Sequence, residues 1–170
     1  MGLFFMGAIV LLEKSQHTPC ALAVSPARAI EYMIAKAGSL SAVSLAVAAL
    51  LALAADAKHL HIILPGTMIS SVVFTLLGMI VATKTESLNQ FILWTVPVEL
   101  LCFVPAVLHL FEVTPAWLKY YPANVCMDMV SGHSPSAAGL LIVAAIIIIL
   151  FIYTKFCVLK MWDRTGGAKI

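Results

Sequence analysis

Glu13-Lys14-Ser15-Gln16-His17-Thr18-Pro19 separates two apolar stretches, and Leu22-Ala23-Val24-Ser25-Pro26 follows it. Glu31-Tyr32 and Lys36 come next, just before the chain turns apolar again. Thr18-Pro19 reads as a helix start: a hydroxyl can accept from the first free N–H groups, and proline at the first helical position forfeits no hydrogen bond. Ser25-Pro26 is a second start of the same kind. It also ends the first helix, because a residue before proline is pushed out of helical angles. Pro19 to Val24 is then a helix of about two turns, too short to be stable alone in water, and it must dock on something. Beyond Pro26, Ile30, Met33, Ile34 and Ala37 share one helical face while Arg28, Glu31 and Lys36 lie off it. The pattern is that of a helix entering a membrane from its interface.

Composition fixes the surroundings of this segment. The chain has 170 residues, 62% of them hydrophobic and 11% charged, with a mean hydropathy of +1.05. A soluble fold is about half apolar and a quarter charged, so this is expected to be an all-α integral membrane protein. Four stretches reach the roughly 20 apolar residues that a helical span needs: residues 37–55, 62–82, 91–111 and 137–154. Residues 1–12 make about 18 Å of helix against a hydrocarbon core of about 30 Å. With no Lys or Arg ahead of them they are a poor signal peptide and read as a partial span. The whole chain is one transmembrane domain, with a loop at 13–36, an outer segment at 112–135 and a tail at 155–170.

Lys and Arg set the expected orientation. If the four spans alternate, Lys14, Arg28, Lys36, Lys84, Lys155, Lys160, Arg164 and Lys169 fall on one side, and only Lys58 and Lys119 on the other. The richer side is expected to be cytoplasmic, which places the Glu13–Lys36 loop and the C-terminus inside.

Within the spans, Gly38, Ala42 and Ala46 form one small-residue seam and Ser44, Ala48 and Ala52 another, suited to close helix approach in lipid. Thr67, Ser71 and Thr75 share a face of the next span, to pack or to line a path. Pro97 and Pro105 favour kinks in the third, and Glu99 between them lies near mid-membrane. A carboxylate there must be paired, hydrated or protonated. It reads either as a substrate or cation contact or as a neutral carboxyl holding the kink. In the outer segment, Thr114-Pro115 starts a helix carrying Trp117, Tyr120 and Tyr121, aromatics suited to the headgroup level. Tyr121-Pro122 breaks it, and a second short helix runs toward Ser131 with Gly132 as its stop. The result is an outer re-entrant or interfacial hairpin. Asp128 and His133 are the only candidate acid–base pair there, without a nucleophile or metal motif. Ser134-Pro135 starts the last helix, and Lys155, Lys160 and Arg164 anchor its inner end. Cys20, Cys102, Cys126 and Cys157 show neither metal spacing nor C-x-x-C, and they read as small apolar residues.

The order of these features resembles the permease subunits of ATP-binding cassette exporters of the type-2 family. In that family a span ends in an acidic–basic step, a short coupling helix lies on the nucleotide-binding subunit, and an "SP…EY…K" connector climbs into the next span. Here those positions read Glu13-Lys14, Thr18 to Val24, Ser25-Pro26, Glu31-Tyr32 and Lys36. Lys84 to Gln90, Pro97-Val98-Glu99, Tyr121-Pro122-Ala123-Asn124 and Val158 to Trp162 continue the likeness, closest to the fluoroquinolone export permeases. The resemblance implies coupling to an ATPase through Glu13, Lys14, Thr18, Pro19, Leu22, Ser25, Pro26 and Glu31. It implies an outer gate near Trp117, Tyr120, Tyr121 and Asn124, and Ser71, Thr75 and Glu99 are candidates for the transport path. It further implies that a complete span and the rest of the partial one precede Met1.

The expected function is therefore a transport subunit in the plasma membrane, exporting drugs or other amphipathic small molecules. The chain has no G-x-x-x-x-G-K-[ST] loop, so ATP and magnesium belong on a separate ATPase chain, and no cofactor, metal or nucleic acid is expected here. Two permease chains, identical or different, should face each other. The alternative is a small proton-coupled carrier or channel in which Glu99 titrates; it leaves the docked short helix unexplained. An enzyme is not expected.

Overall fold

The computed structural model describes residues 2–25, 28–56, 59–111 and 120–164. Among them the chain is all helical, with α1 (Gly2–Ser15), α2 (Thr18–Val24), α3 (Ala29–Ala54), α4 (Leu60–Lys84), α5 (Leu88–Leu110), α6 (Pro122–Val130) and α7 (Ala137–Arg164). Four of these, α3, α4, α5 and α7, are long and apolar enough to cross a membrane. Large apolar side chains such as Leu50, Leu93, Leu101, Phe103 and Ile149 face outward from them, as expected of helices solvated by lipid rather than water.

Helix α4 is the hub. It touches α1, α3, α5, α6 and α7. The α1 helix runs parallel to its second half: Gly2 lies beside Phe74 and Thr75, and Lys14 reaches the carbonyls of Ala82, Thr83 and Thr85. The two backbones meet at Gly78, where a Cβ would stand 2.5 Å from the Leu3 carbonyl oxygen. On its other flank α4 lies along α3, and the Ser44 and Ser71 hydroxyls share a hydrogen bond of 3.1 Å. This decides between the two seams of α3. Ala52 is buried and Ser44 and Ala48 are half-buried, whereas Gly38, Ala42 and Ala46 face outward, with nothing within 4 Å of a Cβ at Gly38.

Lys14, Lys36, Lys84 and Lys160 gather at one end of the bundle, called here the basic end, through contacts that join α1, α3, α4 and α7. The main core lies toward this end and includes Leu3, Met6, Met33, Met79, Phe91 and Met161. At the opposite end α6 folds back onto α4. A Cβ at Gly66 would stand 2.5 Å from the Met129 Cβ, and a small second core joins Val125, Cys126 and Val143.

Helix ends differ in detail from expectation. Thr18 does not cap α2. His17 is the N-cap, in the left-handed region at φ 56°, and Thr18 is the first helical residue with proline behind it. The cause is the short connection: only Gln16 and His17 separate α1 from α2, so the reversal is made by one left-handed residue. Ser25 is extended, as the residue before Pro26 must be. The third helix is continuous from Ala29, and the Glu31 carboxylate accepts from the Arg28 N–H at 3.1 Å. The last helix begins at Ala137 rather than at Pro135, with the Ser136 hydroxyl accepting from the Gly139 N–H. It continues to Arg164, ten residues past the end of the apolar run at Thr154, and takes in Lys155, Lys160 and Arg164, the expected anchors of its inner end. Val158, Met161 and Trp162 recur on one face and are buried, so burial carries the helix on past the apolar run. Gly132 follows the C-cap of α6 at φ 82°, where a helix stop was expected.

Candidate functional site

The candidate coupling segment is tied into the basic end by two ionic knots. In the first, the Glu13 carboxylate at the end of α1 accepts from the Tyr32 hydroxyl at 2.6 Å and pairs with the Lys36 ammonium, both on α3. Lys36 also stands 5.5 Å from the centre of the Tyr32 ring, and that ring meets Trp162 of α7 edge-on at 6.0 Å. Charge-assisted bonds among half-buried groups are among the stronger polar contacts a protein makes. In the second knot, the Lys14 ammonium donates to Ala82 O, Thr83 O and Thr85 O at 2.8, 3.0 and 2.8 Å. Those carbonyls are left over at the end of α4 and carry its negative dipole end. Adjacent residues Glu13 and Lys14 thus bind α1 to two different helices.

Helix α2 sits on this platform. Pro19 is buried and Leu22 packs against the main core, while Gln16, His17 and Ala21 are exposed. Leu22, one of the candidate coupling residues, is half-buried, and its contact with the chain's own core helps to hold α2 in place. Arg28 and Glu31 are exposed beside it, and Ser25 donates its hydroxyl to Leu22 O. Pro26 lies outside the described residues. What this segment offers outward is Gln16 and His17 of the link and Ala21 of α2.

The candidate path residues do not converge. Ser71 is spent on Ser44. Thr75 is fully buried against α1, and its hydroxyl has no hydrogen-bond partner among the described residues. Glu99 is half-buried on α5 and makes no hydrogen bond or ion pair among the described residues. None of the three lines a cavity of about 410 Å³ that lies between α4, α5, α6 and α7. Ser70, Phe74, Cys102, Phe103, Tyr121 and Cys126 are among its walls. Burial pushes the Cys126 thiol up, which favours the inert form expected of a packing cysteine.

At the α6 end, Tyr121 donates its hydroxyl to Leu101 O at 3.0 Å, Asn124 is fully buried and Tyr120 is exposed. Trp117 lies outside the described residues. Asp128 was paired with His133 from the sequence; its carboxylate instead meets His109 Nε2 of α5 at 2.9 Å, and only the His133 backbone N–H turns to the Asp128 carbonyl. The chain fold, which returns α6 across the end of α5, brings His109 and Asp128 together over a sequence distance that no local pattern spans. Sequence reading also missed the Lys14 cap, although a lysine ending a helix in a membrane protein points toward such a role. It missed a second pocket at the basic end, lined by Lys84, Tyr153 and Lys160.

Compared with known proteins, the chain matches no family model, no curated protein and no solved structure.

Proposed function

We propose that this chain is the membrane subunit of an ATP-driven exporter whose ATPase is a separate chain. The observation that carries the reading is the mounting of α2. A helix of seven residues has no independent stability, yet this one is seated by Pro19 and Leu22, and adjoins a two-knot clamp. A push on the exposed Gln16-His17 link and α2 is transmitted to α1 and α7, which α2 touches, and through the knots to α3 and α4. That is what a coupling element must do: a local contact has to move whole spans. The basic end is cytoplasmic on this reading, by the excess of Lys and Arg, which puts α2 where ATP is. The likeness of the motif order to type-2 exporter permeases supplies the partner class. It also suggests amphipathic, fluoroquinolone-like cargo, a second permease chain and the plasma membrane. The cavity of about 410 Å³ falls in the range of small-molecule pockets.

The test is copurification. The full-length protein, expressed in its own cell, should bring down an ATPase chain, and His17→Glu with Gln16→Glu should release it while insertion is unchanged. Retention of the ATPase by that variant, or none in the wild type, overturns the proposal.

A second reading has its own observation. Glu99 stands half-buried between Pro97 and Pro105 with no polar partner among the described residues, as a proton-carrying carboxyl in a carrier would. Transport driven by a pH gradient without ATP, abolished in Glu99→Gln, would favour this carrier reading over the first.

A further inference from the structure

The pocket at the basic end between α4 and α7 has a composition that neither coupling nor packing requires. It measures about 300 Å³ and is lined by Lys84, Tyr153, Phe156 and Lys160, with Thr83 and Met161 behind them. Lys84 donates to the Tyr153 hydroxyl at 2.7 Å and lies 5.0 Å from the centre of its ring. Its partner is therefore a neutral phenol, not a carboxylate. Lys160 is exposed and has no carboxylate within ion-pair distance among the described residues. No Asp or Glu lines the pocket. Two cations thus face one recess that no carboxylate lines among the described residues.

One source of negative potential beside the pocket is also covered. The carbonyls that end α4 would oppose an anion beside Lys84, but the Lys14 ammonium binds those of Ala82, Thr83 and Thr85. Below the lysines an apolar track leads away along α7. Ile149, Ile152 and Phe156 are exposed at spacings of three and four, one helical face, with Tyr153 and Lys160 continuing it. An occupant would need an anionic head at the lysines and a hydrocarbon body along this face.

We propose that the Lys84–Tyr153–Lys160 recess is a binding site for the phosphate headgroup of an anionic phospholipid, whose acyl chain lies along Ile149, Ile152 and Phe156. Basic pockets between transmembrane helices hold such headgroups by charge and hydrogen bonding, and the site lies at an end of the spans, where headgroups are. The Tyr153 hydroxyl, holding the Lys84 proton as acceptor, is left free to donate its own hydrogen to a phosphate oxygen. The site joins the ends of α4 and α7, so a bound lipid would brace the two helices. The proposal depends on the chain spanning a bilayer and not on what it transports.

The full chain is reconstituted in phosphatidylcholine bilayers containing a minority of phosphatidylglycerol, then extracted gently, and the retained lipids are counted by native mass spectrometry. Wild type should retain phosphatidylglycerol in preference to phosphatidylcholine. Lys84→Gln with Lys160→Gln should lose at least roughly 30-fold of that preference, because it removes two direct charge-assisted bonds to the phosphate. Lys155→Gln, on the same helix but outside the pocket, should leave the preference within about twofold, since it removes general attraction only. Inorganic phosphate should not displace the lipid at concentrations well above the lipid's. Equal loss in the Lys155 variant, no loss in the double variant, or displacement by phosphate alone would each overturn the assignment. Phe156→Ser should weaken retention while leaving the headgroup preference, and unweakened retention in that variant would count against the acyl-chain track along α7.

Discussion

Glu13 and Lys14 are neighbours in sequence with opposite charge, yet they do not serve each other. Glu13 turns to α3 and Lys14 to α4, because successive helical residues point about 100° apart. Each is worth testing alone. Tyr32→Phe removes one bond to the carboxylate while Lys36 still holds it, so the cost should be about 1.5 kcal/mol, the low edge for hydrogen bonds to charged groups. Glu13→Gln should cost more, because it leaves Lys36 half-buried without its counter-charge. Denaturant unfolding of the two variants in one detergent gives the order; a larger loss for Tyr32→Phe would contradict it. Lys14→Met should release the carbonyls that end α4 and speed amide exchange in its last turn, residues 81–84, by several-fold. Unchanged exchange there would mean that water or the turn itself satisfies those carbonyls equally well. The residue types of both knots were legible from the sequence, but the direction in which each side chain reaches was not, since that depends on helices that arrive far along the chain.

At the scale of the elements, the closest packing is α1 on α4. Gly78→Ala would bring a Cβ to 2.5 Å from the Leu3 carbonyl oxygen, and a backbone atom cannot turn aside as a side chain can. The helices must separate, at a cost of roughly 1–3 kcal/mol for overpacking, measurable as a lower midpoint in the same unfolding series. Gly38→Ala, at an open position, should be neutral or slightly stabilising, since alanine favours the helix. The pair separates close packing from mere helix propensity. For α2, Leu22→Asp places a carboxylate against the core on which the helix rests. The helix should undock, and Cys20, now half-buried, should react several-fold faster with a water-soluble maleimide. Unaltered reactivity would show that Pro19 alone suffices to seat α2. Helix existence was readable here from prolines and polar interruptions. The cap was not: His17 takes the left-handed turn because the α1–α2 link is short, a constraint of geometry rather than of side-chain chemistry.

For the whole molecule, the arrangement of ends makes a clear topological test. Cysteine at Gln16 should be labelled only from the cytoplasmic side and cysteine at His133 only from outside, both positions being exposed at opposite ends of the bundle. The native Cys126 and Cys157 are buried and should label slowly from either side. Labelling of both introduced cysteines from one side would break the alternation of spans on which the fold rests. The exposed faces of α3 and α5 leave ample surface for lipid or for a second chain, and the proposed exporter needs the latter.

The sequence by itself determined that the chain is helical, that four of its helices are long and apolar enough to cross a membrane, where a short helix interrupts them and which basic residues share an end. Hydropathy and proline placement act over a few turns, so these features are local and survive any packing. Only the tertiary structure decided which small-residue seam of α3 meets α4, that His109 rather than His133 holds Asp128, and that Val158, Met161 and Trp162 of α7 are buried. It alone set Leu22 against the core and left Lys84 and Lys160 facing a common recess. Each of these depends on which helices become neighbours, and in lipid, where apolar surface alone does not choose partners, that choice falls to close backbone contacts and a few polar bonds.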